Sequence, residues 1–182
     1  MRKEYAVRDA PDAPRPADFE WLWRNWRPRA AAYCRAFPSI TRETREELAS
    51  EAVLRAYRAS GRFIPGKPFA PWFFAIVRNL AIDELARLPR ECPRGASVEE
   101  APSRHEEAEE RAEKACEEAF VKDFLGTRDN LDRELANLVY GQGLGAGEAA
   151  KLVGVPAGTA KWRLFELRAA LRRAWEREYG HR

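Results

Sequence analysis

Apolar residues in this chain recur every three or four positions, and proline or glycine separates one such segment from the next. This spacing places the apolar side chains on one face of an α-helix, whereas a half-buried strand needs alternation at every second position. Runs of Val, Ile and Thr, which favour strands, are scarce. The sequence therefore predicts an all-α protein. Because it contains neither a membrane-length apolar run nor the apolar core of a secretory signal, we expect a cytoplasmic protein without a membrane span.

Composition and charge divide the chain into four parts. Residues 1–17 are rich in proline and poor in apolar residues, and we predict a disordered tail there. Residues 18–90 carry 13 Lys or Arg against 8 Asp or Glu, residues 91–130 carry 6 against 12, and residues 131–182 carry 9 against 6. We predict two small helical domains, at residues 18–90 and 104–178, joined by a flexible acidic linker at residues 91–103. The two basic blocks are compatible with nucleic-acid binding.

Three helices are predicted in the first domain. Asp18 is a plausible N-cap of the first helix, in which Pro28 interrupts the apolar stripe and starts a continuation. Thr41 or Thr44 can cap the second helix. The third helix spans about residues 71–88 and has apolar residues on nearly every side. We therefore expect the third helix to be central to this domain.

The stretch GEAAKLVGVPAGTAKWRLFELRAALRRAW, which begins at Gly147, predicts a helix-turn-helix. Its short first helix is followed by Gly154, which can take the left-handed conformation that a tight turn requires. A longer helix runs from Ala157 to about Trp175 and carries Lys and Arg on its outer side. In DNA-binding units of this kind, the amino-terminal part of the second helix enters the major groove. An ordinary helical hairpin with a solvated basic face is the alternative.

Nothing in the sequence predicts a catalytic centre or a cofactor. The three cysteines lack CxxC spacing, and we interpret them as reduced thiols. A zinc site formed by Cys92, His105 and Cys116 is conceivable, but the gaps fit no compact ligand pattern. The chain has two histidines and no glycine-rich phosphate loop or nucleophile motif. We expect a protein that is not an enzyme and that holds no metal.

The order of these segments resembles an extracytoplasmic-function (ECF) sigma factor of the sigma-70 family, over about residues 18–90 and 104–176. FEWLWRNWRPR and EELASEAVLRAYRASGRFIPGKPFAPWFFAIVRNLAIDELAR resemble sigma region 2, and LVGVPAGTAKWRLFELRAALRR resembles sigma region 4. The resemblance implies a region 2 helical bundle and a region 4 helix-turn-helix. It also implies a factor that binds RNA polymerase core enzyme and directs it to promoter DNA for an alternative regulon.

The resemblance further implies which residues make each contact. The contacts with core polymerase would be made by Glu47, Leu48, Glu51 and Arg55. The single-stranded minus 10 element would be held by Arg62, Lys67, Phe69, Arg78 and Asn79. The duplex minus 35 element would be read by Thr159, Lys161, Trp162, Arg163, Arg168 and Arg172. An amide and nearby cations suit an unstacked base and its phosphate, and cations suit the phosphates of a duplex.

Two aromatic residues depart from the usual region 4 pattern. Trp162 stands where Ser or Thr is usual, and Phe165 where a polar residue is common. They indicate an altered DNA preference, or a surface covered by a partner such as an anti-sigma protein. Two other functions stay open: a stand-alone helix-turn-helix regulator, which leaves the first domain unexplained, and a degenerate sigma homologue that acts by partner binding.

Overall fold

The computed structural model describes residues 15–88 and 108–180. Within these ranges every regular element is helical, so the all-α prediction is confirmed. The predicted linker at residues 91–103 lies outside the described residues, as do Cys92, His105 and all of the predicted tail except residues 15–17. Among the described helices, none combines the length and the apolar content that crossing a bilayer requires.

The amino-terminal half consists of three helices: α1 (Phe19–Cys34), α2 (Arg42–Arg58) and α3 (Phe69–Arg87). Both predicted caps are confirmed. Asp18 Oδ1 accepts a hydrogen bond from the Trp21 N–H at 3.0 Å, and Thr41 Oγ1 accepts one from the Thr44 N–H at 3.3 Å. These bonds satisfy backbone donors that have no partner in the first turn of a helix. A single 3₁₀ turn, Ser60–Arg62, follows α2.

Pro28 lies inside α1 and does not interrupt it, so this part of the sequence prediction was wrong. Proline removes one backbone N–H and with it one hydrogen bond of the helix. Pro28 is exposed, and water can therefore reach the carbonyl that loses its partner. The burial of Leu22, Trp26 and Tyr33 on the inner face holds the two halves of α1 in one helix.

The carboxyl-terminal half consists of four helices: α4 (Ala108–Gly126), α5 (Asn130–Ala136), α6 (Ala146–Val153) and α7 (Ala157–Tyr179). A π-helical turn, Asn137–Gly141, extends α5. Gly154, between α6 and α7, has φ 77° and ψ 32°, which confirms the predicted left-handed residue. Helices α6 and α7 form the predicted helix-turn-helix, and α7 runs one turn beyond the predicted end near Trp175.

Buried side chains of both halves belong to one continuous hydrophobic core. The amino-terminal half contributes large residues such as Tyr33, Phe73 and Phe74, and the carboxyl-terminal half contributes Leu135, Leu138 and Leu164. A smaller cluster of Phe124, Ala136 and Leu167 joins α4, α5 and α7. Helix α6 packs against α3, and the turn after α5 packs against α1. The two halves therefore share an interface, to which both α1 and α3 contribute.

Candidate nucleic-acid interface

Arg78 and Asn79 are neighbours on α3 but lie in different surroundings. Asn79 is exposed, whereas the Arg78 side chain is 20% exposed and is held by Glu134 of α5. Arg78 Nε donates a hydrogen bond to Glu134 Oε1 at 2.6 Å, and the Tyr33 hydroxyl donates to the same oxygen at 2.6 Å. The Glu134 side chain is only 8% exposed. One predicted DNA contact, Arg78, is therefore occupied by a buried carboxylate of the other half.

The surroundings of the Tyr33 hydroxyl favour its protonated form. Burial raises the pKa of Tyr33 far above its usual value, and the negative charge of Glu134 and the hydrogen bond to it act in the same direction. Tyr33 therefore stays protonated and remains a donor. A carboxylate is tolerated in a protein interior only when it is paired and hydrogen-bonded. Arg78 supplies the opposite charge and Tyr33 the second hydrogen bond.

Two further contacts cross the same interface. Arg29 donates to the backbone oxygen of Gln142 at 2.7 Å, and its guanidinium lies 4.3 Å from the centre of the Trp26 ring. Asn137 Nδ2 donates to the Ala32 carbonyl at 3.2 Å. The residues that join the two halves in this way are called the interface cluster below: Arg29, Tyr33, Arg78, Glu134, Asn137 and Gln142. Their hydrogen bonds give the interface a specific register that apolar packing alone does not supply.

The sequence analysis missed the interface cluster, although the sequence contains a signal for it. Glu134 lies three residues after Leu131 and four before Leu138, so its carboxylate falls on the apolar face of that segment. Arg78 likewise lies four residues after the buried Phe74. A charge on an apolar helix face indicates a buried partner of opposite charge. The pattern does not say which residue the partner is.

The remaining predicted minus 10 residues lie around the connection between α2 and α3 and on α3 itself. Arg62, Lys67 and Asn79 are exposed, so their donors are available to a nucleic acid. Phe69 is only 4% exposed, and its ring centre lies 4.6 Å from that of Trp26. In this conformation the Phe69 ring does not reach the surface. We interpret it as the apolar support beneath the connection.

The residues predicted to contact core polymerase lie on α2. Glu47 is exposed, and Glu51 and Arg55 form a surface ion pair at 2.7 Å. Leu48 is 9% exposed and belongs to the hydrophobic core, so it positions this face from beneath. An open concave surface adjoins it, lined by Arg27, Glu46, Glu47, Ser50, Glu51 and Leu54. Arg27 joins α1 to this surface through Glu46 at 2.7 Å.

The helix-turn-helix is held by local hydrogen bonds. The N–H groups of Gly154 and Val155 both donate to the Ala150 carbonyl at 3.0 Å, which closes the turn after α6. Glu148 Oε2 accepts the N–H of Gly145 at 3.0 Å at the start of α6. Val155 packs against the hydrophobic core. The start of α7 is thereby fixed relative to α6.

Helix α7 presents most of the predicted minus 35 residues to solvent. The exposed members are Thr159, Lys161, Trp162, Arg168 and Arg172. Arg163 is half-buried and donates to Asp129 Oδ2 at 2.7 Å and to Asp132 Oδ1 at 2.9 Å. These hydrogen bonds raise the pKa of Arg163. Burial acts to raise the pKa of Asp129, but the hydrogen bonds that Asp129 accepts and the charge of Arg163 outweigh it, so the pKa of Asp129 is lowered. Arg163 thus ties α7 to the start of α5, and a DNA contact would require it to leave both carboxylates.

The sequence matches a family model and individual proteins of known family. The family described as Sigma-70 region 2 matches residues 22–91. The ECF RNA polymerase sigma factor ShbA of Streptomyces griseus is 31% identical over 144 residues, which cover 74% of this chain and 75% of ShbA. The probable RNA polymerase sigma factor RfaY of Xanthomonas campestris is 30% identical over 141 residues, which cover 74% of this chain. The chain spans 35% of the length of RfaY.

Two solved structures have a similar fold. CnrH, in complex with the cytosolic domain of CnrY, is 24% identical with a TM-score of 0.59, and the match covers 87% of each chain. The sigma factor RpoE of Bartonella quintana, in complex with the anti-sigma factor NepR, is 20% identical with a TM-score of 0.66. That match covers 86% of this chain and 95% of RpoE. Both matches extend over the amino-terminal and the carboxyl-terminal halves.

Proposed function

The chain belongs to the ECF RNA polymerase sigma factors, and we propose that it binds core RNA polymerase and directs it to promoters of an alternative regulon. The 31% identity to ShbA carries this proposal, because 144 residues exceed the length of either helical half. Catalysis then belongs to the polymerase and not to this chain. We also propose that the protein is cytoplasmic, because RNA polymerase, its proposed partner, acts there.

Core polymerase would dock on α2. Glu47 and Arg55, which are exposed, and Glu51, which is partly exposed, supply charges of both signs. The buried Leu48 anchors the opposite side of the same helix in the core. The adjoining concave surface of α1 and α2 offers room for a side chain of the partner. An interface built from mixed charges favours one orientation of the partner over others.

The minus 10 element would bind along α3 and the connection before it. Asn79 would hydrogen-bond an unstacked base, and Arg62 and Lys67 would lie near its phosphates. Arg78 would exchange the Glu134 carboxylate for a DNA phosphate, since both are anions that accept hydrogen bonds from a guanidinium. Phe69 would support this surface from the core. The exchange at Arg78 requires the two halves to separate, because Glu134 belongs to α5.

The minus 35 element would be read by the helix-turn-helix. The exposed start of α7 would enter the major groove, with Thr159, Lys161 and Trp162 nearest the bases. Arg168 and Arg172, further along the same helix, would contact the phosphate backbone. Arg163 would join them only if it left Asp129 and Asp132.

An anti-sigma protein is the second proposed partner. The fold similarity to RpoE, which was solved in complex with the anti-sigma factor NepR, supports this proposal. Phe19, Trp23 and Tyr57 are exposed, and the Phe19 ring centre lies 5.7 Å from that of Trp23 and 5.8 Å from that of Tyr57. These rings form an apolar surface of the kind that protein partners cover.

Transcription in vitro with core polymerase and a library of promoter fragments tests the function. We expect start sites that require the protein and that are absent with core enzyme alone. If no such start site is found, the proposal is wrong. Copurification with core polymerase provides the second readout: a stand-alone regulator would bind duplex DNA without it, and a degenerate homologue would bind core polymerase without producing any start site.

A further inference from the structure

The exposed face of α7 has an apolar centre. Trp162 is 62% exposed and Phe165 is 59% exposed, and their spacing of three residues places them on the same face. Gly158 and Ala169 lie four residues before Trp162 and four after Phe165, on the same side of the helix. The structure provides no aromatic partner for Trp162 or Phe165 within residues 15–88 and 108–180. These two rings therefore contribute little to the stability of the fold.

The charges beside this apolar centre are mainly positive. Gly158, Trp162, Phe165 and Ala169 are called the apolar strip below. Lys161, Arg168 and Arg172 are exposed and lie along one edge of this strip. Glu166, which is half-buried, is the acidic residue at the other edge. An apolar strip bordered by cations complements a groove bordered by phosphates. This charge pattern favours duplex DNA over an apolar protein groove as the occupant.

The strip is poorly suited to reading base edges by hydrogen bonds. Among Gly158, Trp162, Phe165 and Ala169, the one side-chain hydrogen-bonding group is the indole N–H of Trp162, a donor. In the major groove the C5 methyl group of thymine is the apolar feature that distinguishes one base from the others. Gly158 has no Cβ, and one added there would meet nothing within 4 Å in this chain. A close approach of the DNA to the helix is therefore sterically possible.

We propose that Trp162 and Phe165 form an apolar reading face that recognises thymine methyl groups in the duplex upstream element. This inference rests on the proposed function, since it takes α7 as the helix that enters the major groove. It assigns the discrimination between bases to methyl contacts, with Lys161, Arg168 and Arg172 supplying affinity that depends on salt but not on sequence. Phe165 becomes a specificity residue in addition to those that the resemblance implies.

The test uses holoenzyme assembled from core polymerase and the full chain. Duplexes are first selected from a library randomised in the upstream element. In the selected probe each thymine of that element is then replaced, one at a time, by deoxyuridine, which lacks only the C5 methyl group. Loss of one contacted methyl group should weaken binding by the unaltered protein about fourfold. Thymines outside the contacted positions should tolerate the replacement.

The double variant Trp162→Ala/Phe165→Ala should bind thymine and deoxyuridine probes equally well. Val121→Ala, which shortens an exposed apolar side chain on α4, is the matched control and should keep the preference. Because both rings are exposed, we expect the double variant to fold, and the deoxyuridine series on the unaltered protein needs no variant at all.

Three results would overturn the inference. If the unaltered protein binds both probes equally but still gives factor-dependent start sites, methyl recognition is wrong and the proposed function stands. If the double variant keeps the thymine preference but loses a purified protein partner, the strip is a protein interface. If no duplex is selected and no start site depends on the protein, the proposed function fails and this inference fails with it.

Discussion

Replacing Glu134 should open the interface between the two halves. In Glu134→Ala the Arg78 guanidinium and the Tyr33 hydroxyl lose the oxygen that accepts both of their hydrogen bonds. Removing one partner of a buried ion pair costs about 3–5 kcal/mol. Because Arg78 keeps 20% exposure, we take the lower end, about 3 kcal/mol, which shifts the equilibrium toward separated halves roughly 100-fold.

Glu134→Gln should have a smaller effect. The amide keeps a carbonyl oxygen for Arg78 and Tyr33 but loses the negative charge. A hydrogen bond to a charged group contributes about 1 kcal/mol more than a neutral one, so we expect a shift of roughly fivefold. The shift toward separated halves should therefore be largest for Glu134→Ala, smaller for Glu134→Gln and absent in the unaltered protein.

Small-angle scattering of the free protein measures the separation, and open-complex formation with core polymerase measures its consequence. We expect a larger radius of gyration for Glu134→Ala, and half-maximal open complex at a lower concentration of the variant. Circular dichroism must show unchanged helix content, which separates opening from unfolding. Glu117→Ala, which removes an exposed carboxylate of α4, is the control. If Glu134→Ala matches the unaltered protein in both measurements, the interface cluster does not hold the halves together.

Three further changes test the DNA contact, the turn and the buried thiol. Asn79→Ala should weaken open-complex formation more than binding to core polymerase, and an equal loss of both would indicate a folding role. Gly154→Ala should lower the free energy of unfolding by about 1–2 kcal/mol in urea titrations, because φ 77° is unfavourable for alanine, whereas Gly147→Ala within α6 should cost nothing. Burial raises the pKa of Cys34 from 9.0 to about 12, so its neutral thiol stabilises the fold fully below about pH 9, and this contribution is lost as the pH rises toward 12. Stability should therefore fall less steeply over that range in Cys34→Ala, and at pH 8 a thiol reagent should label Cys116 much faster than Cys34.

Local features of the structure were predictable from the sequence because they depend on neighbours along the chain. The caps at Asp18 and Thr41 and the left-handed turn at Gly154 follow from side-chain chemistry within a few residues. Pro28 is the exception. The cost of a proline inside a helix depends on whether water reaches the freed carbonyl and on how much the rest of the helix buries.

For the predicted site residues, too, the position along a helix was predictable from the sequence, whereas exposure was not. The family resemblance named these residues, and helical periodicity predicted the helices on which most of them lie. The structure leaves Glu47, Asn79 and Lys161 exposed. It does not leave Leu48 and Phe69 exposed, since both belong to the hydrophobic core. Burial depends on what covers a side chain, and the rings that cover Phe69 include Trp21 and Trp26 of α1, which are distant in sequence.

The sequence by itself determined the helices, their apolar faces and the order of segments that identifies the family. Only the tertiary structure decided which faces meet. Glu134 is 56 residues from Arg78 and 101 from Tyr33, yet all three share one buried carboxylate oxygen. Helical periodicity predicts that a charge on an apolar face needs a partner. The choice of that partner follows from the packing of α6 against α3 and of the turn after α5 against α1, which no local pattern contains.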